Sequence, residues 1–398
     1  MVSRGGPAEM MALVIASLAC AVWAYLLLMR GGFWRAAERD DAVEVAPSTP
    51  VVWPRVVAIV PARDEARVIS ASVGSLLRQD YAGSFAIVVV DDHSSDGTAG
   101  IARDAAAGAV MADRLVVLSA PTLPDAWTGK LWAMNCGTNH VDALPEPPDY
   151  LLFTDADISY AAEALTALVL RAQRDGLVLT SLMAKLHCES FGERALIPAF
   201  IFFFQMLYPF AWVNRPERRT AAAAGGCMLV QREALKAAGG IAAVRGELID
   251  DCALGRLMKM QGPIWLGLTD RARSLRVFGS IGEIRPMIRR SAYAQLRYSP
   301  WLLIGTVLAI AVTCLAPPLL TMGTTGIPQL LAAAAWAQMA LALQPTLRFY
   351  GVSRWWGLAL PAIAGVYLAF TLDSAFQHWR GRGGMWKGRA YAPAGDRR

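Results

Sequence analysis

Apolar residues along this chain fall into blocks of two lengths. The long blocks, Met10 to Met29, Trp301 to Met322, Ile327 to Leu343 and Trp355 to Leu372, approach the roughly 20 residues that a helix needs to cross a bilayer. The short ones, Arg55 to Val60, Phe85 to Val90, Leu115 to Leu118 and Tyr150 to Thr154, have the length of buried strands. A polar loop follows the first, then Ile69, Val73, Leu76 and Leu77 at helical spacing, and an Ala-rich helix follows the second. Strands alternating with helices predict an α/β domain with a mostly parallel sheet, whose ligand site lies at the carboxyl ends of its strands. The expected order is an N-terminal transmembrane anchor at 10–29, a linker around Ala46 to Pro54, a large domain at 54–283, C-terminal transmembrane segments at 301–372 and a basic tail at 373–398.

Two blocks need a separate account. Ile284, Ile288, Ala292 and Leu296 recur every four residues with Arg285, Arg289, Arg290 and Arg297 on other faces, so 284–298 reads as a cationic amphipathic helix on the membrane surface. Ala195 to Val213 is apolar but lies inside the large domain. If it crossed, the acidic residues before and after it could not share a substrate. It is therefore expected at the membrane face or in a lipid-side groove, with Phe202, Phe203, Phe204, Tyr208 and Trp212 at the interface.

Composition supports a membrane protein, since 55% of the 398 residues are hydrophobic. Much of the net charge of +6 lies beside the apolar blocks, which favours anionic lipid headgroups. No basic run interleaved with aromatics appears, so nucleic acid is not an expected partner. Arg30, Arg35 and Arg39 after the first block argue for an uncleaved anchor and place the large domain in the cytoplasm. Four crossings would then put Arg380, Arg382, Lys387 and Arg389 on the far side, against their charge, so one apolar block is expected to be re-entrant. The six cysteines form no C-x-x-C pair and read as reduced structural thiols.

The chemistry-bearing residues gather where strands end. Asp92 closes the second strand, and Asp155 and Asp157 follow the fourth at a spacing that places both on one face of an extended strand. Two such hard oxygen ligands suit Mg²⁺ or Mn²⁺, which in turn holds a diphosphate. Asp250 and Asp251 head a helix through Leu254, Leu257 and Met258, where they serve either as a general base or as dipole partners. Asp96, Gly97 and Thr98 suit a turn and helix cap, and His93 beside them reads as structural. Neither a G-x-G-x-x-G turn nor a Walker A loop is present, so metal is the expected handle on phosphate.

Taken together, Val60-Pro-Ala-Arg-Asp-Glu65, Val90-Asp-Asp-His-Ser-Ser-Asp-Gly-Thr98, Gly129-Lys-Leu-Trp-Ala-Met-Asn135 and Thr154-Asp-Ala-Asp157 resemble the nucleotide-sugar half of family 2 glycosyltransferases with the GT-A fold. More narrowly, Cys188 to Phe191, Phe202 to Pro209, Thr220 to Met228 and Leu248 to Leu254 resemble the bacterial hopene-associated glycosyltransferases. The resemblance implies a multi-pass enzyme of the bacterial inner membrane that moves one sugar, with inversion, from a nucleotide-sugar to a membrane lipid, a hopanoid among the candidates. A UDP-sugar is the favoured donor. It also implies roles: Asp92 at the uracil or ribose, Pro61, Arg63 and Glu65 at the base pocket, and Lys130 near the nucleotide. Asp155 and Asp157 would hold ribose and metal-diphosphate, and Asp251, with Asp250 beside it, would supply the base. Gly225 and Gly226 would admit the donor sugar close to the backbone, or else mark a bulge. Two alternatives stand beside this reading. Processive polysaccharide synthases of the family carry Q-x-x-R-W where this chain has Gln295-Leu296-Arg297-Tyr298, one residue shorter and ending in Tyr. A non-catalytic membrane scaffold would show broken acidic motifs, and here they persist.

Overall fold

The computed structural model describes residues 6–41, 53–109, 111–381, 385–386 and 389–390. Most of the expected linker, together with Arg382, Lys387 and the side chain of Arg389, lies outside the described residues. The strands of the main sheet are β1 Val56–Ala62, β2 Phe85–Asp91, β3 Leu115–Ser119, β4 Tyr150–Phe153, β5 Ile158–Tyr160, β6 Leu179–Lys185, β7 Met228–Gln231 and β8 Ile264–Ser274. The helices through the middle of the chain are α1 Pro7–Met29, α2 Ile69–Leu77, α3 Thr98–Gly108, α4 Gly129–Asp142, α5 Ala164–Arg174, α6 Phe191–Leu207, α7 Phe210–Val213, α8 Arg232–Ala237 and α9 Asp250–Lys259. The remaining five are α10 Ile281–Gln295, α11 Pro300–Ile310, α12 Ala316–Gly323, α13 Ile327–Phe349 and α14 Leu360–Trp379. The chain divides into two compact units, one of Met1–Ala37, Cys188–Ala211 and Phe278–Gly384, the other of Glu38–His187, Trp212–Val277 and Met385–Arg398.

The second unit holds the sheet, in the order β3-β2-β1-β4-β7-β6-β8-β5. It is parallel from β3 to β4 and again between β6 and β8, while β7 runs against both of its neighbours. Every residue of β1 is buried, which a central parallel strand requires of an apolar run. Pro61 stands beyond the last β4 pairing, at Ile59 with Phe153, so its missing N–H costs no ladder bond on that side. Strands β5, β6 and β8 are additions to the sequence reading. Thr180 and Ser181 interrupt the apolar pattern of β6, and the second half of β8 carries Asp270, Arg271 and Arg273.

Asp155 and Asp157 are not on a strand, as their spacing suggested. β4 stops at Phe153, and Thr154 closes it by donating its N–H to the carbonyl of Ile59 and its hydroxyl to that of Gly226. The Ile158 N–H then reaches the Asp155 carbonyl at 3.3 Å, so both carboxylates ride on the tight turn between β4 and β5.

The first unit is helical. Ser190 caps α6 through a reciprocal box with Glu193, whose buried carboxylate also accepts the N–H of Phe278 at 2.8 Å. Phe202, expected at a lipid interface, is fully buried and packs on Phe33 with ring centroids 5.3 Å apart. The apolar stripe of α10 likewise faces protein: Ile284 and Ile288 are buried, and Arg285 and Arg289 both pair with Asp373 of α14. Periodicity defines such a face without saying what covers it. Among the described residues four helical segments are long and apolar enough to cross a membrane, Pro7–Met29, Phe191–Val213, Pro300–Gly323 and Ile327–Phe349. The third contains a π-helical stretch at Ala311–Leu315, and α14, which covers most of the fourth expected block, is not among them.

Candidate active site

The loops after β1 and β2 are laced together before any ligand arrives. Asp64 sits in the left-handed region at φ 50° and accepts the Ser95 N–H at 2.8 Å, while its own N–H goes to the Ser94 hydroxyl. Asp96 accepts the N–H groups of Ala66 and Thr98, and the Thr98 hydroxyl accepts that of Glu65. The turn expected at Asp96 to Thr98 is thus present, while the N-cap position of α3 is Gly97, in the left-handed region at φ 86° and without a side-chain cap. This lacing fixes Arg63, whose Nη1 donates to the Asp92 carbonyl at 2.5 Å and lies 3.5 Å from the Asp92 carboxylate. Asp92 itself is fully covered, with Arg63 against it.

Lys130 joins the two halves of the acidic constellation. Thr128 caps α4 by accepting the Leu131 N–H, and the lysine in the first turn sends its Nζ to within 2.7 Å of Asp155 and 3.0 Å of Asp250. Desolvation would strip the proton from Lys130, but Asp155, Asp250 and Asp251 outweigh it and push its pKa up. Desolvation raises the pKa of Asp155, opposed by Lys130 and reinforced by Asp157 and Asp250.

Asp251 lies one residue farther along α9. Its Oδ2 accepts the Gly225 N–H at 3.1 Å and its Oδ1 accepts the Cys252 N–H at 2.7 Å. Desolvation first and the adjacent Asp250 second raise its pKa to about 6, against the pull of Lys130 and those two N–H groups. The helix is held close by Gly255, where a Cβ would come within 2.7 Å of the Ala222 carbonyl carbon. At Gly225 a Cβ would stand 3.1 Å from the Lys130 nitrogen and 3.5 Å from Asp251 Oδ2, so this glycine leaves room for the ionic groups themselves. Gly226 is different. It packs on Ala184 and Ile158, and its carbonyl accepts the hydroxyls of Thr154 and Tyr160.

Arg276 completes the cluster, two residues after β8. Its Nε is 2.8 Å from Asp157 Oδ2, and its Nη2 reaches Glu65 at 3.2 Å. Sequence reasoning missed it, because nothing local in Leu275-Arg276-Val277 marks it and its partner lies 119 residues away. Among the described residues no group of three or more His, Cys, Asp or Glu side chains is set to hold a metal. Nevertheless Asp155 and Asp250 share Lys130, Asp157 and Glu65 share Arg276, and Asp251 stands beside Asp250, so acidic side chains gather in a desolvated cleft. Two hard carboxylates on one turn, with phosphate and water to finish the shell, fit Mg²⁺ or Mn²⁺.

Residues 57–239 match the family model described as glycosyl transferase family 2. Residues 57–239 are a family 2 glycosyltransferase domain. The match ends before Asp250 and Asp251. No curated protein matches the glycosyltransferase in sequence. Among solved structures it is similar to a mannosyltransferase from Pyrobaculum calidifontis in complex with GDP-Man and Mn²⁺, at 21% identity and a TM-score of 0.55 over 92% of this chain and 99% of that one. It is also similar to S. aureus TarS 1–349 with UDP-GlcNAc, at 14% identity and TM-score 0.40, covering 84% and 95%. A further similar structure is M. tuberculosis glucosyl-3-phosphoglycerate synthase with Mn²⁺, UDP-Glc and phosphoglyceric acid, at 18% identity and TM-score 0.38, covering 61% and 79%. The fold of this glycosyltransferase is GT-A.

Proposed function

We propose that the enzyme transfers one sugar, with inversion, from a nucleotide-sugar to a lipid hydroxyl drawn from the membrane. The observation that carries this reading is the Lys130 bridge, which gathers Asp155 on one side and the Asp250–Asp251 pair on the other into a single cluster. Asp251 accepts the proton of the acceptor hydroxyl, and the Gly225 and Cys252 N–H groups keep its carboxylate aimed. Lys130 holds the leaving-group acids and the base at fixed separation. Arg63, Glu65 and Asp92 line the nucleotide side, with a UDP-sugar as the donor we put first. Asp155 and Asp157 would hold Mg²⁺ or Mn²⁺, which when bound supplies positive charge to the departing diphosphate.

The four apolar helical segments support a membrane acceptor, and a hopanoid is the lipid suggested by the sequence resemblance. The membrane is the bacterial inner membrane, with the sheet unit in the cytoplasm. Phe191–Val213 does not cross in this reading, because β6 before it and β7 after it pair in one sheet. Crossings by α1, α11–α12 and α13 then leave α14 as the re-entrant element. Leu358 and Arg354 lie along α13, bonded to Trp336 and Gln344, and the chain returns to stack His378 on Tyr298 beside the start of α11.

The test is incubation of the purified enzyme with UDP- and GDP-sugars, Mn²⁺ or Mg²⁺ and extracted bacterial lipids, read by mass spectrometry. A product larger than its lipid by one hexose unit supports the reading, and a polymer ladder overturns it. Asp251→Asn should lower turnover by about 10² to 10⁴ while nucleotide-sugar binding persists. Turnover at the wild-type rate would remove Asp251 from the role of base.

A further inference from the structure

Arg276 is tethered at its backbone and held at its tip by two acids. Ser274 pairs with Ile158, and the Leu275 N–H donates to the Asp157 carbonyl at 2.7 Å, so the strand end is zipped to the turn that carries the carboxylates. The guanidinium then spans from Asp157 to Glu65 on the laced loop after β1. Its side chain is 43% exposed, against 15% for Asp157 and 14% for Glu65. The cation therefore lies on the solvent side of both acids. Asp157 Oδ2 cannot serve Arg276 and a metal ion in the same direction at once, and a partly exposed ion pair of this kind is weak enough to exchange.

We propose that Arg276 is an exchangeable counter-ion, holding Asp157 and Glu65 in the donor-free enzyme and turning its planar fork onto the diphosphate when metal and nucleotide arrive. This rests on the reading of the Asp155–Asp157 turn as the diphosphate site. It adds a charge exchange: one cation leaves the carboxylate as another takes it, and the released cation finds a new anion in the ligand. The residue would thus oppose metal binding alone and favour the metal-nucleotide complex. A merely structural arginine would move both affinities the same way.

The experiment uses the full chain in detergent or nanodiscs. Mn²⁺ is titrated alone by electron paramagnetic resonance, then UDP and, separately, GDP at saturating Mn²⁺ by calorimetry. In Arg276→Gln, Mn²⁺ alone should bind roughly two- to fivefold tighter. The better-bound nucleotide should bind about tenfold weaker. Arg276→Lys, which keeps the charge without the fork, should fall between wild type and Gln on both readouts. Two affinities that fall together, that stay unchanged, or that shift singly overturn the exchange. Failure of wild-type enzyme to bind either nucleotide with Mn²⁺ overturns the diphosphate-site reading itself, and the exchange with it.

Discussion

At the scale of single residues, Asp251 is where the chemistry and the pH scale meet. A carboxylate with its pKa raised to about 6 is a stronger base than a free aspartate, yet it is mostly ionised at neutral pH. As the proposed base, Asp251 works only when deprotonated, so kcat/KM should rise with pH through about 6 and level off above 7. In Asp250→Asn the neighbouring negative charge is gone, and the inflection should move to lower pH, as a rate profile from pH 4.5 to 8 would record. Asp155, Asp157 and Asp251 were legible in the sequence as residues because carboxylates at the ends of apolar runs are conspicuous. Their partners were less so. Lys130 stood in a recognisable motif, but its bridge to Asp250 joins positions far apart in the chain, and Arg276 left no local trace at all.

Among the elements, β1, β2 and β4 could be read to within two residues because they are apolar on both faces. The mixed strands β6 and β8 could not, since Thr180 and Ser181 break the apolar run of the first and Asp270, Arg271 and Arg273 fill the second half of the other. Helix α10 was found by its period, but that Ile284 and Ile288 pack on protein could not be read, because a stripe looks the same against protein or lipid. The re-entrant path of α14 is testable at this scale. A green fluorescent protein fused to the C-terminus should fluoresce in a bacterial host, and alkaline phosphatase fused there should be inactive. The opposite pair of outcomes would make α14 a fourth crossing.

For the whole molecule, the sequence disclosed an α/β enzyme with apolar helices toward both ends, but its division into units differs from the linear one. Residues 188–211 lie mid-chain yet belong with the terminal helices, an assignment that only tertiary packing could make. The gathering of acidic side chains around Lys130 also reaches beyond the site, into the heat resistance of the folded chain. A carboxylate whose folded pKa is raised contributes stability that is fully present below about pH 4 and is lost as pH rises through about 6. Asp251→Asn removes that loss, so the variant should melt a few degrees above the wild type at pH 8, show a smaller gain at pH 5 and none below about pH 4 in scanning fluorimetry. An inactive protein sturdier than its parent would mark the site as one where folding yields to chemistry, and it would do so before any sugar or lipid is known.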